Sequence, residues 1–377
     1  MKTIKYISFC ENNGYGNSAK AYIKGLLNYG VNVSWMPLRM GKQKKLGLEK
    51  SEMYRSEYEG FEEQINRKLD YDTVIVHTVP EYFPLLKKLE PNKKIIGYTV
   101  WETDKIPLTW ETLLEIPDLL FVPSQFTKKV FIESGVKTPI TLIPHVADIS
   151  STSSAFLSKS DEQFTFYCIE SYTNRKAIWD LVSVYCQTFS KRDNVILIIK
   201  TSKTDFTKAS IFRRKHYARN AIKKIQKKFI QAPAIKVIDE ELSDEEIHSL
   251  HKKGDCYISL TRSEGFGLSP FNACLHGNPV IITGWGGQLA YLGQDYPLLI
   301  NYNLISAYDP RAPDIYSSDQ KWGKADLNHA SKLMRQVFEN KHEYGNKLKA
   351  LQEINVEQFS EERIIKKILI SLQALFH

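Results

Sequence analysis

The densest run of residues able to do chemistry is 259–272, Ser-Leu-Thr-Arg-Ser-Glu-Gly-Phe-Gly-Leu-Ser-Pro-Phe-Asn. The apolar stretch Cys256–Leu260 reads as a strand running into a loop that carries Gly265 and Gly267. The spacing predicts a helix after it, with Ser269 at the N-cap and Pro270 at the first helical position. Free backbone N–H groups and the helix dipole there suit a diphosphate or the hydroxyls of a sugar. Glu264 falls at the carboxyl end of the strand, where ligands bind in parallel sheets. The same glycines are also compatible with a tight turn alone, with Glu264 solvated.

A second glycine turn, Gly14-Tyr15-Gly16, follows the first apolar run, residues 3–9. There too an anion or sugar could approach the backbone. His77 and His145 each end an expected strand. Both are candidates for a cleft, and equally for hydrogen-bonded core histidines. Asp70-Tyr71-Asp72 has the spacing of a metal-binding acidic pair, but it precedes a strand and reads as turn chemistry. Cys10, Cys168, Cys186, Cys256 and Cys274 include no Cys-x-x-Cys pair, and no His, Cys and Asp cluster points to a metal. The cysteines read as buried thiols of a reducing compartment.

These residues need a scaffold, and the chain supplies short apolar runs alternating with helical stretches. Strands are expected at 3–9, 31–36, 73–76, 94–99, 119–122 and 140–143, with helices at 17–29 and 125–134, the latter capped by Ser124. The Ser-rich stretch Asp148–Asp161 reads as a linker. A second alternation follows, with strands at 164–169, 195–199, 235–238, 256–260 and 279–283. Its helices fall at 176–189, 244–251 and 325–338, and a helical tail covers 340–376. The fold class is α/β: two Rossmann-like domains, 1–150 and 162–340, facing each other across a cleft, closed by C-terminal helices 341–377 that cross back to the first domain.

With 377 residues and 42% hydrophobic content, two domains are expected and disorder is excluded as the main state. No window is apolar enough to span a bilayer, and MKTIKYISFC lacks the features of a signal peptide. A cytoplasmic location is expected, or attachment to the inner face of a membrane. The net charge of +8 is local: residues 203–230 hold ten Lys or Arg against one acid, Asp205. That argues against nucleic acid as a partner. Ala218, Ile222, Ile225 and Phe229 fall at helical spacing within it. A basic amphipathic helix of this kind can lie on an anionic membrane surface, or pack on its own domain.

Glu264-Gly-Phe-Gly-Leu268 with Ala273, followed by Gly277-Asn-Pro-Val-Ile281 and Gly284-Trp-Gly-Gly287, resembles the retaining glycosyltransferases of the GT-B fold, glycosyltransferase family 4. Val122-Pro-Ser-Gln-Phe126, Ile143-Pro-His145 and Gly14-Tyr-Gly16 resemble further signatures of that family, so the likeness covers roughly residues 3–340. It implies a nucleotide-sugar donor bound mainly on the second domain, transfer with retention, and no cofactor or essential metal. The family's basic pair that binds the donor diphosphate matches Arg175 and Lys176. Fixed cations there would stabilise the leaving diphosphate. Donor contacts are likewise implied for Gly14, Tyr15, Gly16, Ser263, Gly265, Phe266, Gly267 and Leu268.

One departure stands out. The family often carries two glutamates separated by seven residues; the first matches Glu264, while the second position is Asn272. An amide can still hydrogen-bond a ribose but offers no carboxylate to its diol. Asn272 could instead serve its own helix, at its third position. Tyr98-Thr-Val-Trp-Glu-Thr-Asp104 looks like a variant segment of bacterial members. Within it Glu102 is a candidate for the acceptor proton or a sugar hydroxyl, and Trp101 for stacking on a pyranose. A buried Trp and a capping Thr103 or Asp104 is the plainer alternative. The expected function is a metal-independent retaining transfer of sugar to a hydroxyl of a glycan or glycolipid, with Glu264, Glu102 and Lys176 catalytic. The setting implied is bacterial surface polysaccharide or lipopolysaccharide synthesis. Alternatives are a nucleotide-sugar epimerase, a glycogen-type transferase, or an inactive GT-B subunit that binds a partner glycosyltransferase or glycan.

Overall fold

The structure is a computed structural model describing residues 3–41, 46–147, 163–207 and 217–376. The expected linker Asp148–Asp161 and residues 208–216 of the basic segment lie outside the described residues. The chain divides into two compact units. Met1–Trp101, Lys105–Ala147 and Gln358–His377 form the first; Glu102–Asp104 and Asp148–Glu357 form the second.

The first unit holds strands β1 (Thr3–Phe9), β2 (Asn32–Leu38), β3 (Thr73–His77), β4 (Lys94–Tyr98), β5 (Leu119–Val122) and β6 (Ile140–Leu142). They form one sheet in the order β2-β1-β3-β4-β5-β6, every pairing parallel. β3 and β5 are buried at every residue, as expected of strands covered on both faces. Helices α1 (Gly14–Asn28), α2 (Arg55–Tyr58), α3 (Phe83–Leu89) and α4 (Gln125–Glu133) connect them. α1 starts three residues earlier than the sequence suggests, because the Asn13 side chain accepts from the N–H groups of Tyr15 and Gly16, 3.0 and 3.1 Å away. The glycine turn is thus the first turn of a helix. Gly16 lies so close to the Glu11 carbonyl that any Cβ would collide with it.

The second unit holds β7 (Phe164–Ile169), β8 (Val195–Lys200), β9 (Ala234–Ile238), β10 (Cys256–Ser259), β11 (Val280–Thr283) and β12 (Leu299–Ile300), in the parallel order β12-β11-β10-β7-β8-β9. β13 (Tyr302–Ser306) and β14 (Lys321–Ala325) form a separate antiparallel pair. Its helices are α5 (Ile178–Thr188), α6 (Ala218–Gln226), α7 (Asp244–Lys253), α8 (Leu268–Leu275), α9 (Leu289–Leu292), α10 (Leu327–Glu339) and α11 (Lys341–Gln358), the last residue of α11 falling to the first unit. Ser243 and Glu246 form the capping box that their spacing predicts.

The expected single tail is two helices. Ser360 caps α12 (Glu361–Gln373), whose Ile364, Ile365, Ile368 and Leu372 join the core of the first unit with Ile4, Ile23 and Leu26. α11 stays with the second unit, where Asn355 donates to the Tyr291 carbonyl at 3.0 Å.

The basic segment corrects one expectation. α6 ends at Gln226, so Phe229 lies beyond its helical stripe. Ala218 and Ile222 are buried in the helix's own unit, and Arg219 is paired with Asp239. Lys223, Lys224, Lys227 and Lys228 remain exposed. Among the described residues no helix is long and apolar enough to cross a membrane.

Candidate functional site

Five charged side chains of the second unit converge at the carboxyl ends of β7 and β10. Glu170 directly follows β7, and Arg175 and Lys176 stand in the loop before α5. Glu264 stands in the loop after β10, and Glu102 comes from the three-residue stretch Glu102–Asp104. Arg175 Nη1 donates to Glu264 Oε2 at 3.1 Å and to the Ser263 carbonyl at 2.6 Å, while its Nη2 lies 3.6 Å from Glu102 Oε1. Lys176 Nζ is paired with Glu264 Oε1 and lies 3.4 Å from Glu170 Oε1. Thr261 Oγ1 donates to Glu264 at 2.8 Å, Ser259 Oγ to Glu170 at 2.7 Å, and the Tyr316 hydroxyl to Glu102 at 3.4 Å.

The backbone around these groups is built to hold them. Ala177, next to Lys176, has φ 47° and ψ 37°, a left-handed conformation that costs a residue with a Cβ about 1–2 kcal/mol. Gly267 has φ 88° and is itself the N-cap of α8. Ser269 and Pro270 are therefore the second and third helical residues, not N-cap and first position. Proline fits because N–H groups of the first turn have no helical acceptor. The loop is locked by Gly287 N–H donating to the Glu264 carbonyl at 2.6 Å, and a Cβ on Gly287 would fall on the Gly265 carbonyl. The Phe266 ring is buried against Phe271 and Tyr291, anchoring the loop. Ser263 is fully buried, and its hydroxyl has no hydrogen-bond partner among the described residues.

The charges of this cluster set one another. Burial pushes the Glu264 carboxyl upward, but the ammonium of Lys176 and the guanidinium of Arg175 outweigh it and hold the group at about 2. Burial likewise raises Glu102, against the attraction of Arg175, and Glu170, against that of Lys176. Burial opposes the charge of Arg175, yet Glu102 and Glu264 keep it protonated well above its ordinary range. Two cations held in place by carboxylates and largely shielded from solvent are able to neutralise charge that develops on a phosphate leaving group.

Asn272 is the fifth residue of α8, not the third. It is half-buried, and its side chain makes no hydrogen bond among the described residues. Leu268 opens α8 and is half-buried. Trp101 is 1% exposed, packs on Trp110 and donates Nε1–H to the Lys105 carbonyl at 2.6 Å. With no exposed face it is a core residue, which corrects its reading as a stacking platform for sugar. Asp104 accepts from the Lys321 N–H at 2.6 Å, so it ties the start of β14. Sequence reasoning missed Glu170, Thr261 and Tyr316. Glu170 carried one signal, its place at the end of a strand, and Thr261 another, its place in the 259–272 run.

In the first unit Tyr15 donates to or accepts from Thr99 Oγ1 at 3.1 Å. His77 is buried: Tyr6 OH lies 2.9 Å from Nδ1, and Ser18 Oγ, itself donating to the Gly14 carbonyl, lies 3.3 Å from Nε2. This fits a neutral ring protonated on Nε2. His145 Nδ1 lies 3.2 Å from the Tyr22 hydroxyl. Burial pushes both histidines down, His145 to about 3. Asp70 and Asp72 are exposed ahead of β3, in keeping with turn chemistry. All five cysteines are free and buried. No group of three His, Cys, Asp or Glu able to hold a metal occurs among the described residues.

No protein-family model matches this chain, and no curated protein matches it in sequence. Solved structures do. Sucrose-phosphate synthase from Thermosynechococcus elongatus is similar at 13% identity over 100% of this chain and 99% of its own, with a TM-score of 0.69. A glycosyltransferase from Rickettsia africae is similar at 14% identity, over 100% and 98%, with a TM-score of 0.66. An E. coli structure described as trehalose-6-phosphate bound with UDP-2-fluoro glucose is similar at 11% identity, over 99% and 99%, with a TM-score of 0.64. The fold is the GT-B fold of glycosyltransferases: α/β, with two Rossmann-like units and C-terminal helices. At these identities the likeness is one of fold and singles out no family within it.

Proposed function

We propose that the protein is a retaining, metal-independent glycosyltransferase of the family 4 type, taking a uridine or guanosine diphosphate sugar as donor. The observation that carries this is the convergence of Arg175 and Lys176 on Glu264 at the carboxyl ends of β7 and β10. In this reading Arg175 and Lys176 hold the donor diphosphate, and the backbone of Ser263, Gly265, Phe266, Gly267 and Leu268 approaches the donor. As the glycosidic bond breaks, the diphosphate gains charge, and the two cations supply the stabilisation that a metal gives elsewhere. The diphosphate takes the acceptor proton on the same face of the sugar, which yields retention. Glu264 orients sugar hydroxyls and, being ionised, favours positive charge at the anomeric carbon. Glu102 binds a hydroxyl near the reacting carbon. Asn272 meets the ribose.

The second unit is assigned to the donor. The first is assigned to a glycan or glycolipid acceptor of bacterial surface polysaccharide synthesis, with Gly14, Tyr15 and Gly16 completing donor contacts. Nucleic acid is no partner in this reading. Support comes from two structural neighbours described with UDP-2-fluoro glucose and with UDP, the latter covering 81% of this chain. The exposed lysines of 223–228 are assigned to electrostatic attachment at an anionic membrane on its cytoplasmic face, since the apolar stripe of α6 faces its own unit. An inactive GT-B subunit is the second reading, motivated by Asn272 at the family's glutamate position.

Release of nucleoside diphosphate from a panel of nucleotide sugars, assayed after exhaustive EDTA treatment, tests the reading. Turnover of one donor is expected to survive chelation. Activity lost with EDTA and restored by manganese or magnesium would contradict the metal-independent mechanism. No nucleotide binding, with a stable partner complex, would favour the inactive subunit.

A further inference from the structure

Glu170 has no role in the reading above, yet its side chain is 1% exposed and sits inside the charge cluster. Its Oε1 accepts from Ser259 Oγ at 2.7 Å and faces Lys176 Nζ at 3.4 Å, and its Oε2 accepts the Cys168 thiol at 3.6 Å. Lys176 also pairs with Glu264, so two of its three N–H donors are committed to carboxylates. With all five groups ionised, two cations face three carboxylates and the cluster is already negative. A diphosphate would add at least two more negative charges to this buried place.

We propose, building on the donor assignment to Arg175 and Lys176, that Glu170 is a positioning residue for Lys176 and takes up a proton when a nucleoside diphosphate binds. Lys176 exchanges its contact with Glu170 for a phosphate oxygen, and the Glu170 carboxylate receives one proton from solvent. No bond other than that O–H forms, and the overall charge brought in falls by one.

The neighbours leave Glu170 as the group to titrate. Cys168 on its own strand, Tyr257 on β10 and Tyr291 on α9 are kept neutral by burial. Arg175 and Lys176 in the following loop are cations, and Glu264 after β10 is held at about 2. Burial already favours the proton on Glu170, and Lys176 opposes it. A ligand that draws Lys176 away removes that opposition. Glu102, beside Arg175, is the competing acceptor.

The test is calorimetric titration of the full chain with uridine and guanosine diphosphate in two buffers of different ionisation enthalpy. A pH of about 7.5 lies above the second ionisation of a terminal phosphate, about 6. The unaltered protein should take up close to one proton, and Glu170→Gln none, while Glu102→Gln keeps the uptake. Between about pH 7 and 8.5 the affinity of the unaltered protein should weaken by up to about tenfold per pH unit, and that of Glu170→Gln should stay level. Binding without proton uptake by the unaltered protein overturns the proposal and spares the donor reading, whether or not the variant folds. Uptake that persists in Glu170→Gln also overturns it. If neither nucleotide binds, the donor reading itself falls and the proposal with it.

Discussion

At the scale of single residues, the site is a balance of charge in which no group acts alone. Glu264 is ionised because two cations touch it, and Lys176 is rigid because two carboxylates face it. Removing Lys176 therefore leaves Glu170 buried with no cation paired to it and Glu264 with Arg175 alone, a change that costs up to about 3–5 kcal/mol in comparable pairs. The catalytic assignment is better probed by isosteric changes. Glu264→Gln should mainly lower kcat, because its contacts tighten as the anomeric carbon becomes cationic. Asn272→Ala should mainly raise the donor KM, and Asn272→Glu should preserve or strengthen donor binding. A donor titration at saturating acceptor separates these effects. Full activity in Glu264→Gln, or a KM indifferent to both Asn272 changes, would contradict the assignments. Glu264 is legible in the sequence because glycines bracket it at a strand end. Glu170 is harder to read: its place at a strand end is the one signal it carries, and its hydrogen-bond partner Ser259 lies 89 positions away.

At the scale of elements, capping chemistry accounts for most of what the sequence discloses. Ser124, Ser243 with Glu246, and Gly30 after α1 fall where their side chains or conformations require. α8 was misplaced because Ser-Pro imitates a helix start, whereas Gly267 in the left-handed region starts it earlier. The β13–β14 pair was invisible: β13 is exposed at four of its five residues, so no alternation marks it. The close approach of Gly287 to Gly265 predicts that Gly287→Ala displaces the 263–268 loop. That variant should melt lower and lose nucleotide binding in a thermal-shift titration; unchanged binding would mean the loop does not cradle the donor. In the first unit, the neutral histidines make a signed prediction about pH. His145 binds a proton at about 3 when folded and at about 6.5 when unfolded, so the unfolded chain holds more protons between those values. Stability should fall as pH drops below about 6.5, and the gap between the unaltered protein and His145→Gln should narrow by up to about 1.4 kcal/mol per pH unit. Urea unfolding across that range checks it, and a gap independent of pH would contradict it.

At the scale of the whole molecule, the alternation of strands and helices made the two parallel sheets legible, and the composition made two units the expected division. The hand-over within the tail was less visible: α11 and α12 share one helical pattern, and only Ser360 marks the break between the element that stays with the second unit and the one that completes the core of the first. The GT-B fold is retained at 13% identity to a sucrose-phosphate synthase, so the fold alone says little about donor or acceptor. The central claim is that Arg175 and Lys176 bind the diphosphate of a nucleotide sugar. Its most direct measurement is a thermal-shift titration with uridine and guanosine diphosphate sugars, run on the unaltered protein and on a folded Lys176→Ala variant. One donor at about a hundred times its dissociation constant should stabilise the unaltered protein by about 2.7 kcal/mol and leave Lys176→Ala almost unshifted. Equal stabilisation of both proteins, or of neither by any donor, would contradict the account.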